Sequence, residues 1–68
     1  MILYSMDDCV YCAMLKARLA HEGIKYDEIT DPTIISGKGF ATVPQLDNGL
    51  QILDFNHAIA WLNGGREV

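Results

Sequence analysis

Positive charge is scarce in this chain. Five lysines and arginines stand against nine aspartates and glutamates, giving a net charge of −4. Binding to a nucleic-acid backbone rests on Lys and Arg neutralising phosphates, so no nucleic-acid partner is expected. No apolar run approaches the roughly 18 residues that a membrane span requires, so no membrane partner is expected either. Only two cysteines are present, too few for the disulfide-dense framework of a small secreted scaffold. With no leader-like segment, such a pair fits a reducing cytoplasm, where paired thiols are catalytic or metal-binding. Repeats and low-complexity segments are also missing. The 68 residues leave room for one domain, 1–68, expected to act as a monomer.

What is present is apolar. Hydrophobic residues make up 50% of the sequence, which favours a packed fold over disorder. Ile2–Tyr4 reads as a short buried strand. Val10 to Glu22 is rich in good helix formers (Ala13, Met14, Leu15, Ala17, Leu19, Ala20), with Lys16, Arg18, His21 and Glu22 on the polar side. A helix of about three turns is predicted there, ended by Gly23 at the usual place for a C-terminal cap. Ile24 to Ile29 alternates imperfectly and reads as a second strand. Strand, helix, strand makes a βαβ unit, with two parallel strands and a right-handed crossover.

Asp31 and Pro32 can start a helix as cap and first-turn residue. Gly37 and Gly39 limit it to one short turn. Ala41–Leu46, the turn Asp47-Asn48-Gly49, and Leu50–Leu53 read as a hairpin. Asp54 or Asn56 can cap a last helix carrying Phe55, Ala58, Ile59 and Leu62 on one face. Asn63-Gly64-Gly65 ends it, and Arg66-Glu67-Val68 is expected to fray. The order β-α-β-(short helix)-β-β-α predicts an α/β domain with a mixed four-stranded sheet packed by helices. The loop after the first strand lies where ligands of open α/β sheets tend to bind.

That loop, Tyr4-Ser5-Met6-Asp7-Asp8-Cys9-Val10-Tyr11-Cys12, holds both cysteines. A helix starting at Val10 puts Cys9 at its N-terminus, where unsatisfied N–H groups and the dipole favour a thiolate. The thiolate is the nucleophile in disulfide exchange, and Cys12, about one turn on, can resolve a mixed disulfide formed on Cys9. Asp7 and Asp8 act against the thiolate as like charges. Taken alone, Cys-x-x-Cys also fits two reduced core cysteines or half of a zinc site. Zinc needs four ligands, and the remaining histidines, His21 and His57, do not follow zinc-finger spacing. No metal site is expected. Further on, Thr42-Val43-Pro44 places a proline at the head of a strand, where it marks an edge or a special turn.

These elements together resemble the glutaredoxin family of the thioredoxin-like superfamily. The likeness rests on Tyr4-Ser5, Cys9-Val10-Tyr11-Cys12, Gly23-Ile24-Lys25-Tyr26, Thr42-Val43-Pro44-Gln45 and the Asn48-Gly49 hairpin, and covers Ile2 to Leu62. It implies a minimal thioredoxin-like fold, a cis Val43–Pro44 bond, and a Val43 backbone that pairs with an extended substrate beside Cys9. It further implies Tyr11, Thr42, Val43, Pro44 and Asn56 as the substrate- or glutathione-binding set, with Cys9 and Cys12 catalytic and no bound cofactor beyond their disulfide. The chain departs from the family in three places. The glycine pair before the last helix is replaced by Leu53-Asp54, Lys-Pro ahead of the cysteines by Met6-Asp7, and the middle helix is trimmed.

The function implied is a thiol–disulfide oxidoreductase, a small truncated member of the family. Its substrate would be a protein or glutathione mixed disulfide, ribonucleotide reductase being one such partner. Glutathione or a thioredoxin reductase would return the electrons. The alternative is a binding module holding an iron–sulfur cluster with glutathione, which calls for four thiolates.

Overall fold

A computed structural model describes residues 1–65, in the order β1 (Ile2–Tyr4), α1 (Val10–His21), β2 (Asp27–Ile29), α2 (Pro32–Gly37), β3 (Gln45–Asp47), β4 (Ile52–Leu53) and α3 (Phe55–Ala60). Past Ala60 the chain continues in a wider turn over Trp61–Gly65, and the backbone leaves helical geometry at Gly64, within the Asn63-Gly64-Gly65 stretch expected to end the helix. The expected fraying of Arg66-Glu67-Val68 lies outside the described residues. The four strands form one mixed sheet in the order β2-β1-β3-β4. β1 runs parallel to β2 and antiparallel to β3, and β3 and β4 are antiparallel. The chain is therefore α/β, with its first strand inside the sheet as the βαβ reading requires.

Register decides which side chains form the core. Leu3 stands opposite Leu46, and Leu46 opposite Leu53, so three leucines make a row across one face. Leu15 and Leu19 of α1, Ala58 of α3 and Leu62 close over that row, and all seven are buried. Phe55, Ile59 and Trp61 pack at its margin. Neighbouring strand residues point to opposite faces, so Tyr4 serves the other side. There its ring meets Phe40 edge-on at 5.0 Å and lies under the Lys38 ammonium, 5.8 Å from the ring centre.

The termini of α1 show why the helix has its predicted span. The Ile24 N–H reaches the Leu19 carbonyl at 3.0 Å, and the Gly23 N–H reaches that of Ala20 at 3.1 Å. This is the paired bonding of a Schellman cap, with Gly23 at φ 71° in the left-handed region that favours glycine. The same cap shortens the second strand. Because the Ile24 N–H is committed to the helix, Ile24 and Tyr26 pack against the core instead of pairing. β2 begins at Asp27, not Ile24.

Three other boundaries also need correction. β3 begins at Gln45, not Ala41, because Pro44 offers no ladder donor and 41–44 forms a loop. β4 begins at Ile52, not Leu50, since the Leu50 and Gln51 N–H groups both donate to Asn48 Oδ1 at 2.9 Å. α2 is six residues long and includes Gly37, exceeding the single turn expected. Asp31 caps it through the Thr33 N–H at 2.9 Å, with Pro32 in the first turn.

One polar network ties the cysteine loop's base to the rest. Ser5 is fully buried, and its hydroxyl donates to Glu28 Oε2, which also accepts from Lys16 Nζ at 2.8 Å. The Lys16 ammonium first, and the Ser5 hydroxyl second, hold the Glu28 carboxyl below its ordinary value. A carboxylate depressed in the folded state adds stability above its unfolded value of roughly 4.3, and loses it as pH falls through the folded value. Glu28→Gln should therefore flatten the loss of stability on acidification relative to the parent chain, as read by urea midpoints across the acid range. Both side chains are about one-third exposed, so the difference should stay within about 1 kcal/mol.

Candidate active site around Cys9

β1 ends at Tyr4, and the chain needs a sharp reversal to enter α1. Asp8 provides it with φ at 58°, a conformation that Asp tolerates better than most residues. Cys9 follows as the N-cap of α1, in extended backbone, and its sulfur accepts the Cys12 N–H at 3.1 Å. That position is usually held by Ser, Thr, Asp or Asn. Here a sulfur takes the cap's role at the start of the helix.

Cys9 is half-buried, whereas Cys12 is only 1% exposed. The two are joined as a disulfide, with Cα atoms 5.1 Å apart. The two sulfurs therefore differ in access: an incoming group can reach Cys9 but not Cys12. No acidic residue lies in the first turn of α1, while Arg18 and His21 lie in its last. The first feature leaves the positive N-terminal end of the helix uncompensated from within, and the second complements its negative C-terminal end. Asp7 and Asp8 are exposed, as expected of charges next to the site.

The loop before β3 forms the opposite wall. The Val43–Pro44 bond is cis, and the Val43 carbonyl oxygen lies 4.0 Å from Cys9 Sγ. Pro44 is among the fully buried side chains, a support under the loop and not a wall of the groove. Gln45 fixes the loop from below, its side-chain amide donating to the Thr42 carbonyl at 3.1 Å.

Beside Cys9 a groove of about 320 Å³ is lined by Tyr11, Thr42, Val43, Asp54, Phe55 and Asn56. The fold thus brings together four residues singled out in the sequence: Tyr11, Thr42, Val43 and Asn56. Tyr11 leans on Phe55 with ring centres 4.8 Å apart. A larger hollow of about 570 Å³ is lined by Met1, Lys25, Tyr26 and Asp27. It lies at the opposite end of β1 from the cysteines and is lined by no thiol, so the smaller groove is the better candidate for thiol chemistry.

Of the two residues able to cap the last helix, Asp54 does so. Its carboxylate accepts the His57 N–H at 2.9 Å and lies 2.7 Å from His57 Nδ1. These contacts, the backbone N–H first, hold the Asp54 carboxyl below its usual range. Asn56 is one residue inside the helix and is not the cap. Its place is on the groove wall. Asp54 and Phe55 were missing from the binding set expected from the sequence. The signal that could have found Asp54 is the N-cap-to-N3 spacing to His57.

Among the described residues, no group of three or more His, Cys, Asp and Glu converges on one point, and no helix is long and apolar enough to cross a membrane. Comparison with protein-family models, curated proteins and solved structures found no match for this chain.

Proposed function

We propose that the chain is a cytoplasmic dithiol–disulfide oxidoreductase of glutaredoxin type, built on a minimal thioredoxin-like fold. The observation that carries this reading is the placement of Cys9 Sγ. It is accessible, capped by the Cys12 N–H at 3.1 Å, backed by a buried Cys12, and faced by the Val43 carbonyl at 4.0 Å. In the reduced protein, the same N–H and helix end stabilise a thiolate on Cys9.

The thiolate attacks one sulfur of a substrate disulfide. A Cys9–substrate disulfide forms, the substrate's own S–S bond breaks, and the other substrate sulfur leaves as a thiolate that takes up a proton. Cys12, deprotonated, then attacks Cys9 Sγ, forming the Cys9–Cys12 bond and releasing the second substrate thiol. Two electrons have passed to the substrate, and a thiol reductant restores them by the reverse exchange. Tyr11, Thr42, Val43 and Asn56 seat the substrate, and Pro44 holds the loop beneath them. No resident cofactor is needed. The substrates are disulfide-bearing proteins, with ribonucleotide reductase as a candidate, and the reductant is glutathione or a thioredoxin reductase.

The direct test offers oxidised protein glutathione or thioredoxin reductase, each with NADPH regeneration, and times the return of the thiols. Recovery with neither would sink the reading. Strong visible absorbance of protein purified without air would point instead to a cluster-binding module. Cys12→Ser separates the two steps: it keeps the attacking sulfur and removes the resolving one. Incubated with a disulfide substrate, this variant should accumulate a one-to-one mixed disulfide visible by mass spectrometry under non-reducing conditions. If no adduct accumulates, Cys12 is not the resolving thiol.

A further inference from the structure

The groove beside Cys9 is distinctive in its charge. Of the five lysines and arginines, Arg66 lies outside the described residues, and the other four are placed elsewhere. Lys16 is held by Glu28, and Arg18 by Glu22 and Asn63. Lys38 sits over the Tyr4 ring, and Lys25 lines the hollow at the far end of the sheet. None of the four lines the groove, whose one charged wall is Asp54. Asp8 adds an exposed carboxylate next to Cys9 in the chain, and Asp7 adds another whose charge the nearby Lys16 ammonium partly offsets.

The surroundings of the groove are apolar. Val10 is 72% exposed, Tyr11 57%, Met14 51% and Met6 41%. Val10 and Met14, four residues apart, share one face of α1, so an apolar rim extends from the groove along the outer side of the helix. A tripeptide can fill the groove, but only a longer segment can also cover this rim.

Resting on the oxidoreductase reading, we propose that the groove selects its disulfide by charge. Its substrate is a protein segment whose reacting cysteine is flanked by apolar and basic side chains, and anionic thiols such as glutathione are poor partners. Asp54 is the specificity-determining residue. A basic flank meets its carboxylate, with Asp7 and Asp8 adding to the attraction. Each glutathione half carries two carboxylates against one ammonium, a net negative charge, and its carboxylates meet no Lys or Arg among the described residues of the groove and a like charge at Asp54.

The test uses the reduced full chain and a short peptide with one cysteine held as a mixed disulfide with 2-mercaptoethanol. The cysteine is flanked by lysines, serines or glutamates. Hydroxyethyl disulfide and oxidised glutathione complete the set, at a pH above histidine's titration range. Loss of protein thiols is followed by quenched-time mass spectrometry. At low ionic strength the lysine peptide should react roughly tenfold faster than the glutamate peptide, with the serine peptide between them. Added salt should compress the ratio, and oxidised glutathione should rank with the glutamate peptide. Asp54→Asn, which keeps a capping side chain, should narrow the ratio by about threefold. Equal rates at low salt, or faster reaction of the anionic disulfides, would overturn charge selection. A ratio unchanged in Asp54→Asn would overturn the assignment of Asp54. Failure of all five disulfides to react, the uncharged hydroxyethyl compound included, would overturn the oxidoreductase reading and this inference with it.

Discussion

Serine in place of Cys9 should reduce disulfide turnover to the uncatalysed rate, a fall of about a thousandfold or more, the scale on which loss of a nucleophile acts. The expectation follows from the double role of this sulfur. As a cap, serine is at least its equal: a hydroxyl at this position readily accepts the N–H that Cys9 now takes from Cys12. As a nucleophile toward sulfur, a hydroxyl is no substitute, because disulfide exchange needs a thiolate. Cys12 cannot take over, since it is 1% exposed on the inner face of the first turn of α1. The measurement is hydroxyethyl disulfide turnover with a small dithiol as reductant, alongside thermal unfolding of the variant and of reduced parent protein. Reduced protein is the proper reference because the variant cannot form the Cys9–Cys12 bond. Unchanged unfolding with lost turnover assigns the loss to chemistry. Turnover near the parent level would end the proposed mechanism.

The helix that carries this cap was legible because its signals are local and agree with one another. Good formers run from Val10, and Gly23 stands one residue beyond the cap residue Glu22. The strands were harder to bound, since they are held by partners distant in sequence. Ile24 has the side chain of a strand residue, but its N–H belongs to Leu19. Leu50 looks like a strand residue and is 94% exposed in the turn that Asn48 organises. In both cases a backbone hydrogen bond to a cap or turn outweighed side-chain preference.

The site was legible in a similar way. Cys9 and Cys12 declare their relation by spacing, and the cap geometry follows once the helix start is known. That Thr42 and Val43 would form one groove with Tyr11 and Asn56 depends on packing that no local pattern encodes. It came from the resemblance of the whole arrangement. What neither route supplied was the choice of Asp54 over Asn56 as the cap. That turns on which carboxyl or amide stands three residues before an N–H able to meet it, and the His57 N–H meets Asp54. The burial of Ser5 against Glu28 was equally hidden, because those residues are 23 positions apart.

Leu15→Ala should be the most damaging single change to the fold. Leu15 is fully buried, one turn beyond Cys12 on α1, and belongs to the cluster of Leu3, Leu19, Leu46, Leu53, Ala58 and Leu62. Truncating such a leucine costs about 2–5 kcal/mol, the lost burial and the cavity left behind adding together. At roughly 0.05–0.15 kcal/mol per residue, a domain of 68 residues has about 3–10 kcal/mol in total, and the small core of this chain puts it toward the low end. The variant should therefore be partly or wholly unfolded without denaturant. Leu50→Ala, an equal truncation at an exposed turn position, should stay within about 0.5 kcal/mol of the parent. Trp61 packs at the margin of the same cluster, so its fluorescence in a urea titration reads both variants. The thiol should follow the fold. Cys9 has its helix-end environment only while α1 is docked on the sheet, so its reactivity toward an alkylating probe should fall along the same curve as the Trp61 signal. If Leu15→Ala moved that curve by less than about 1 kcal/mol, the leucine cluster would not be what holds the helix against the sheet. If the fluorescence and thiol curves separated, Cys9 would owe its reactivity to the loop alone.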